Sequence, residues 1–172
     1  FPAAPYSVKL RVQWIRDLGS GMAPFNAFLS MMGAETLHVR MDRHCSNALT
    51  LAKHLQQHPK VGWVNYPGLP DNREYALARK YLKGCSGVFC FGVKGGVAAG
   101  ERVMNSLKVA AIAVHVADLR TCVLHPASMT HRQLSESELI AAGVSPDMIR
   151  VSVGLEHIDD LIADFDQALA QA

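Results

Sequence analysis

The 172-residue chain lacks a strong charge of either sign, a paired-cysteine motif and any long apolar run. Its formal net charge is +2, and nowhere do five or more basic residues stand together, so the electrostatic footprint of a nucleic-acid surface is missing. Nucleic acid is not an expected partner. The four cysteines, Cys45, Cys85, Cys90 and Cys122, form no Cys-x-x-Cys pair and sit among apolar neighbours, which favours buried thiols in a reduced protein over a disulfide framework. No apolar stretch approaches the roughly 18 residues that a membrane span requires. The opening FPAAPYSVKLRVQ also lacks the basic-then-apolar order of a secretory signal. The expectation is a soluble, cytoplasmic protein without membrane contact.

What is present is apolar content of 49%, enough for one well-filled core, and a pattern that changes period along the chain. The apolar positions from Tyr6 to Leu18 follow helical spacing only in part, and Gly19-Ser20-Gly21 ends whatever forms there. Pro24 suits the first turn of a short helix through Met32. From Glu35 to His58, Leu37, Met41, Cys45, Ala48, Ala52 and Leu55 recur every three or four residues, predicting one long helix. Beyond Pro59, strands are predicted at Val61–Tyr66, Gly87–Val93, Thr121–Leu124 and Ile149–Val153. Helices are predicted at Arg73–Leu82, Val97–Leu107, Ser135–Ala142 and Ile158–Leu169, the third opened by a Ser-x-x-Glu capping box. This is an α/β (α+β) pattern, four short strands covered on one side by helices and preceded by a long linking helix.

Several features imitate functional motifs. Gly92-Val93-Lys94-Gly95-Gly96 is too short for a phosphate-binding loop and has no Ser or Thr after its lysine, so it reads as a strand-to-helix turn. His125 and His131 flank Pro126–Thr130 without a third donor at metal-ligand spacing, so a loop with histidines bonding backbone is favoured and no metal is expected. His44 and Cys45 are adjacent, and neighbours on a helix point apart, which argues for a packed cysteine rather than a nucleophile. Asp159, Asp160, Asp164 and Asp166 read as a solvated face, the first two also suiting a helix N-terminus.

One residue resists the bland readings. In Met148-Ile149-Arg150-Val151-Ser152-Val153-Gly154 a guanidinium interrupts a run that otherwise wants burial, and an unpaired charge there would lose its hydration. Arg150 therefore needs an anion. It is either an internal acid, such as Asp118 or Glu156, or a ligand carboxylate, which the paired donors of a guanidinium fit.

Six ordered blocks carry a family resemblance: LRVQWIRDLGSGMAPFNAFL, GAETLHVRMDRHCSNALTLAKHL, HPKVGWVNYPGLP, FGVKGG, HPASMTHRQLS and AAGVSPDMIRVSVGLEHIDDLIADFDQAL. Together they resemble the C-terminal part of the pyridoxal-phosphate enzymes of cysteine and methionine metabolism, most of all their O-acetylhomoserine sulfhydrylase (homocysteine synthase) branch. The resemblance implies the aspartate aminotransferase-like fold (fold type I). Residues 1–58 would be the helical end of the large domain with its linking helix, and residues 59–172 the C-terminal small domain. It implies that Arg150 binds the α-carboxylate of an amino-acid substrate and that Thr121 helps to seat it. For the complete protein it implies pyridoxal 5'-phosphate as cofactor, a homo-oligomer (a tetramer), and replacement of acetate on the γ carbon by sulfide to give homocysteine, a step of methionine biosynthesis. Other branches, of the cystathionine γ-synthase or γ-lyase type, and a non-catalytic binding domain are the alternatives.

The chain departs from that pattern in two ways. None of its lysines, Lys9, Lys53, Lys60, Lys80, Lys83, Lys94 and Lys108, lies in the Ser-x-Thr-Lys setting that this family uses to hold the cofactor. The chain is thus expected to be an inactive fragment without bound cofactor or catalytic residue of its own, its partner being the missing N-terminal cofactor domain; the opening Phe1-Pro2 fits a non-native start. Where relatives read Asn-x-Gly-Asp-Ala-(Lys or Arg)-Ser-Leu, this chain has His115–Cys122, and Ala117 at the glycine position would be strained if φ there is positive.

Overall fold

The computed structural model describes residues 4–172, so Phe1 and Pro2, read above as a non-native start, lie outside the described residues. The chain divides into two compact units, one ending at His38 and the other Val39–Ala172. The boundary expected at residue 58 marked the end of the linking helix, whereas packing places most of that helix in the second unit. Ala48, Leu51, Ala52 and Leu55 are fully buried there.

The first unit is helical. Residues 5–18 run as α1 (Pro5–Lys9), a π-helical stretch (Leu10–Ile15) and α2 (Arg16–Leu18), closed by Gly19 in the left-handed conformation at φ 71°. The π turn, in which each bonded N–H reaches the carbonyl five residues back, accounts for an apolar spacing that is only partly α-helical. Helix α3 (Pro24–Glu35) starts on its proline, as predicted, and none of its residues is buried.

The second unit contains α4 (Leu37–Gln57, from Val39 onward), β1 (Val61–Asn65), α5 (Tyr75–Tyr81), β2 (Val88–Val93), α6 (Gly96–Ser106), β3 (Ala111–Ile112), β4 (Cys122–Leu124), α7 (Glu136–Ala141), β5 (Met148–Ser152) and α8 (Ile158–Leu169). The sheet has five strands in the order β1-β2-β5-β4-β3, not the four expected. The missed strand, β3, is two residues long and runs parallel to β4, too short to show any period. All other pairings are antiparallel.

Alternation along the strands settles which side is dry. Phe89, Phe91, Ile149, Val151 and Val123 join Leu51 and Leu55 of α4, Val103 of α6 and Phe165 of α8 in one core. The intervening positions, Cys90, Arg150 and Leu124, are direct partners across β2, β5 and β4 and therefore share the opposite face. Arg150 thus keeps its charge out of the core that its two neighbours enter. The capping box at Ser135 and Glu138 forms as predicted. The four-aspartate reading needs correction: Asp164 is only 4% exposed and accepts N–H bonds from Lys108, Val109 and Ala110 at 2.8–3.0 Å. It fastens the end of the α6 connection to α8.

Candidate functional site

β5 is the central strand, so Arg150 is held from both sides by ladders to β2 and β4. Its Nη2 donates to the carbonyl of Val114 at 2.9 Å. Two positions on, the buried Ser152 hydroxyl accepts the N–H of Ala117 at 3.1 Å. The segment Val114–Ala117 is therefore tied to β5 at two points on the Arg150 face. Ala117 adopts φ 63°, the left-handed conformation that the sequence comparison flagged as strained for a residue with a Cβ.

Neither candidate internal acid reaches Arg150. Asp118 accepts from the backbone N–H of Arg120 at 3.0 Å and pairs with its guanidinium at 3.3 Å. Those contacts, the backbone bond first, hold its carboxyl below the usual range. Glu156 accepts the Thr121 N–H at 2.6 Å on one oxygen and the Thr121 hydroxyl at 2.8 Å on the other. Among the described residues no carboxylate makes an ion pair with Arg150. The thiols nearby do not substitute for one. Burial pushes Cys90, directly across the ladder, and Cys122 above the ordinary thiol range, against the weaker pull of Arg150. Both remain neutral near pH 7. Among the described residues the guanidinium has one hydrogen-bond acceptor, a carbonyl, and no ion-pair partner.

Thr121, the second residue singled out, is fully buried. Its hydroxyl donates to Glu156 and accepts the Gly154 N–H at 2.9 Å. With both bonds made inside, the hydroxyl is not placed to touch a ligand; it pins the start of β4 to the loop leaving β5. Two residues that sequence reasoning missed act on the same loop. His44 donates from Nδ1 to the Val153 carbonyl at 2.6 Å, and Asn47 donates from Nδ2 to the carbonyls of Gly154 and Glu156 at 3.0 and 2.9 Å. A signal was available, because both lie on the buried stripe of α4 with Ala48, Leu51 and Leu55.

The remaining decoys are resolved by their contacts. His125 is buried, donating from Nε2 to the Pro146 carbonyl at 2.7 Å and accepting at Nδ1 from Ser128, the backbone-bonded loop expected. His131 contacts the Thr130 hydroxyl instead. Among the described residues no three His, Cys, Asp or Glu side chains converge as metal ligands. The side chain of Trp63 donates to Asp147 at 2.8 Å across Gly92, where any Cβ would overlap both.

A cofactor aldehyde needs a lysine held in a desolvated, donor-lined site. All seven lysines here are exposed.

Comparison with known proteins identifies the family and the fold. Residues 4–170 match the Cys/Met metabolism PLP-dependent enzyme family. The chain is 51% identical over 168 residues to homocysteine synthase of Schizosaccharomyces pombe, covering 97% of this chain and 39% of that protein. It is 48% identical over 171 residues to O-acetyl-L-homoserine sulfhydrylase 1 of Thermus thermophilus, covering 99% and 41%. A solved structure from Campylobacter jejuni, described as an O-acetylhomoserine (thiol)-lyase with N'-pyridoxyl-lysine-5'-monophosphate, superposes with a TM-score of 0.91 at 40% identity, over 99% of this chain and 41% of that one. The five-stranded sheet and its helices are thus part of a fold type I architecture, and the chain spans about two fifths of the length of these relatives. The chain belongs to the Cys/Met metabolism PLP-dependent enzyme family.

Proposed function

We propose that this chain is the substrate-gripping C-terminal part of an O-acetylhomoserine sulfhydrylase, and that Arg150 binds the α-carboxylate of the amino-acid substrate. The observation that carries the reading is a half-buried arginine on the central strand whose guanidinium reaches the surface with a carbonyl partner and, among the described residues, no acid. A guanidinium has five N–H donors in a rigid fork. One goes to Val114, which stops rotation of the head group and leaves a parallel pair for a carboxylate. Gripped at that end, the substrate's α-amino group is aimed in one direction, and its γ substituent lies beyond it. Thr121, His44 and Asn47 serve by holding the strand ends and loop that set the position of β5.

The whole protein, in this reading, replaces γ-acetate with sulfide to form homocysteine for methionine synthesis in the cytoplasm, working as a homo-oligomer. The names of the similar proteins support that reaction class. Cofactor chemistry is supplied from outside this chain, whose lysines are all exposed, so the chain alone is inactive. Arg150→Ala in the full-length protein tests the assignment. Isothermal titration of this chain alone with O-acetylhomoserine tests the fragment reading, and silence is the expected result; micromolar binding without cofactor favours a stand-alone binding domain.

A further inference from the structure

A hollow of about 300 Å³ opens between α4, the turn after β1 and the end of α5, at the lower end of the sizes that hold small ligands. Its apolar wall includes Leu49, Tyr66, Tyr75 and Leu82. Lys53 of α4, Arg79 of α5 and Lys83 beyond it bring three cations to the rim, and no carboxylate lines it. The acids nearest in sequence are engaged elsewhere, Asp71 accepting from Gln56 at 2.6 Å and Glu74 pairing with Arg73 at 2.8 Å. Among the described residues none of the three cations forms an ion pair.

The wall is fixed before any ligand arrives. Tyr66 is 1% exposed and its hydroxyl donates to the Ser86 carbonyl at 2.9 Å, which locks the ring. Gly68 lets the turn lie against that ring, since a Cβ there would meet the Tyr66 side chain at 2.5 Å. Cys45 and Cys85, both free and half-buried, complete the lining. Gly84 packs on the first of them, with room for a Cβ only 3.0 Å from its sulfur.

We propose that this hollow binds a small organic anion with an apolar body, the head group meeting Lys53, Arg79 and Lys83 and the body lying on Leu49, Tyr75 and Leu82. A same-sign cluster with a low-dielectric wall concentrates anions, and the apolar surface adds affinity only for a ligand that has something to bury. The site shares no residue with the Arg150 neighbourhood and does not rest on the carboxylate-grip reading.

The two thiols report occupancy. In the full-length, cofactor-loaded protein, alkylation of Cys45 and Cys85 by iodoacetamide is followed by peptide mass spectrometry while phenyl phosphate, inorganic phosphate or phenol is titrated. Phenyl phosphate is expected to protect both thiols at concentrations about tenfold below either half-probe, because only it uses both surfaces. The Arg79→Ala, Lys83→Ala double variant should shift the protection midpoint upward by about tenfold or more, and Arg150→Ala should leave it unchanged. Equal protection by phenol, no protection by phenyl phosphate, or a midpoint insensitive to the double variant overturns the proposal. Arg79 and Lys83 are exposed and bonded to nothing in the core, so their removal leaves the fold to be measured.

Discussion

The Nη2 of Arg150 donates to the carbonyl of Val114 at 2.9 Å, tying the central strand to the segment that precedes β4. That bond explains how a cation survives in an otherwise apolar strand without an internal acid. The head group is oriented by a neutral acceptor, and in the proposed reading its charge meets the substrate carboxylate.

Asn47 satisfies two carbonyls of the loop that leaves β5. Asn47→Ala strands both in a buried setting, and unfolding free energy should fall by about 2 to 4 kcal/mol. Asn47→Asp should be at least as damaging, because a carboxylate cannot donate to a carbonyl. Denaturant titration checks both.

Ala117 sits at φ 63°, which costs a residue with a Cβ about 1 to 2 kcal/mol. Ala117→Gly removes that cost and adds unfolded-state entropy, so a net gain of up to about 1 kcal/mol is expected. A loss on thermal unfolding would show that the alanine methyl makes a contact worth more than the strain.

Asp118 is held below its ordinary range by the backbone and guanidinium of Arg120. Its native pKa is lower than its unfolded one, so the unfolded state takes up the proton first as pH falls. The contribution is complete above the unfolded pKa and disappears as pH drops through the native value. Asp118→Asn should therefore narrow the difference between thermal midpoints at pH 7 and pH 3; an unchanged difference shows that this carboxyl does not contribute.

In the first unit, Trp14, Phe25, Phe28, Met31 and Met32 are each at least half exposed. Apolar side chains this dense on a helical segment call for a covering surface. The chain expressed alone should self-associate or retain a partner in sedimentation and should bind hydrophobic dyes. A compact monomer that binds no dye contradicts this.

Much of the fold was legible because its elements carry strong periods. The second half of the α4 stripe, Ala48, Ala52 and Leu55, and the alternation around Phe89 and Phe91 each fix a face, whereas Leu37 and Met41 of the same stripe are exposed. β3 escaped because two residues have no period. Asp164 escaped because four nearby acids suggested water, although its spacing from Leu161, Phe165 and Ala168 put it on the buried stripe of α8. The candidate site was legible in part. Arg150 stood out through the cost of burying a charge among valines, whereas the role of Asn47 depends on a meeting of residues more than a hundred positions apart. No local pattern encodes that meeting. Thr121 was singled out for its hydroxyl, and only the three-dimensional contacts reveal that Glu156 and Gly154 occupy it.

The most direct measurement is steady-state kinetics of the full-length protein with Arg150 replaced by alanine and, separately, by lysine, using O-acetylhomoserine and sulfide. If Arg150 grips the substrate carboxylate, Arg150→Ala lowers kcat/KM by the equivalent of about 2 to 5 kcal/mol, with lysine recovering only part, while thermal stability barely changes. A kcat/KM that stays at the parent value in the alanine variant would contradict the account.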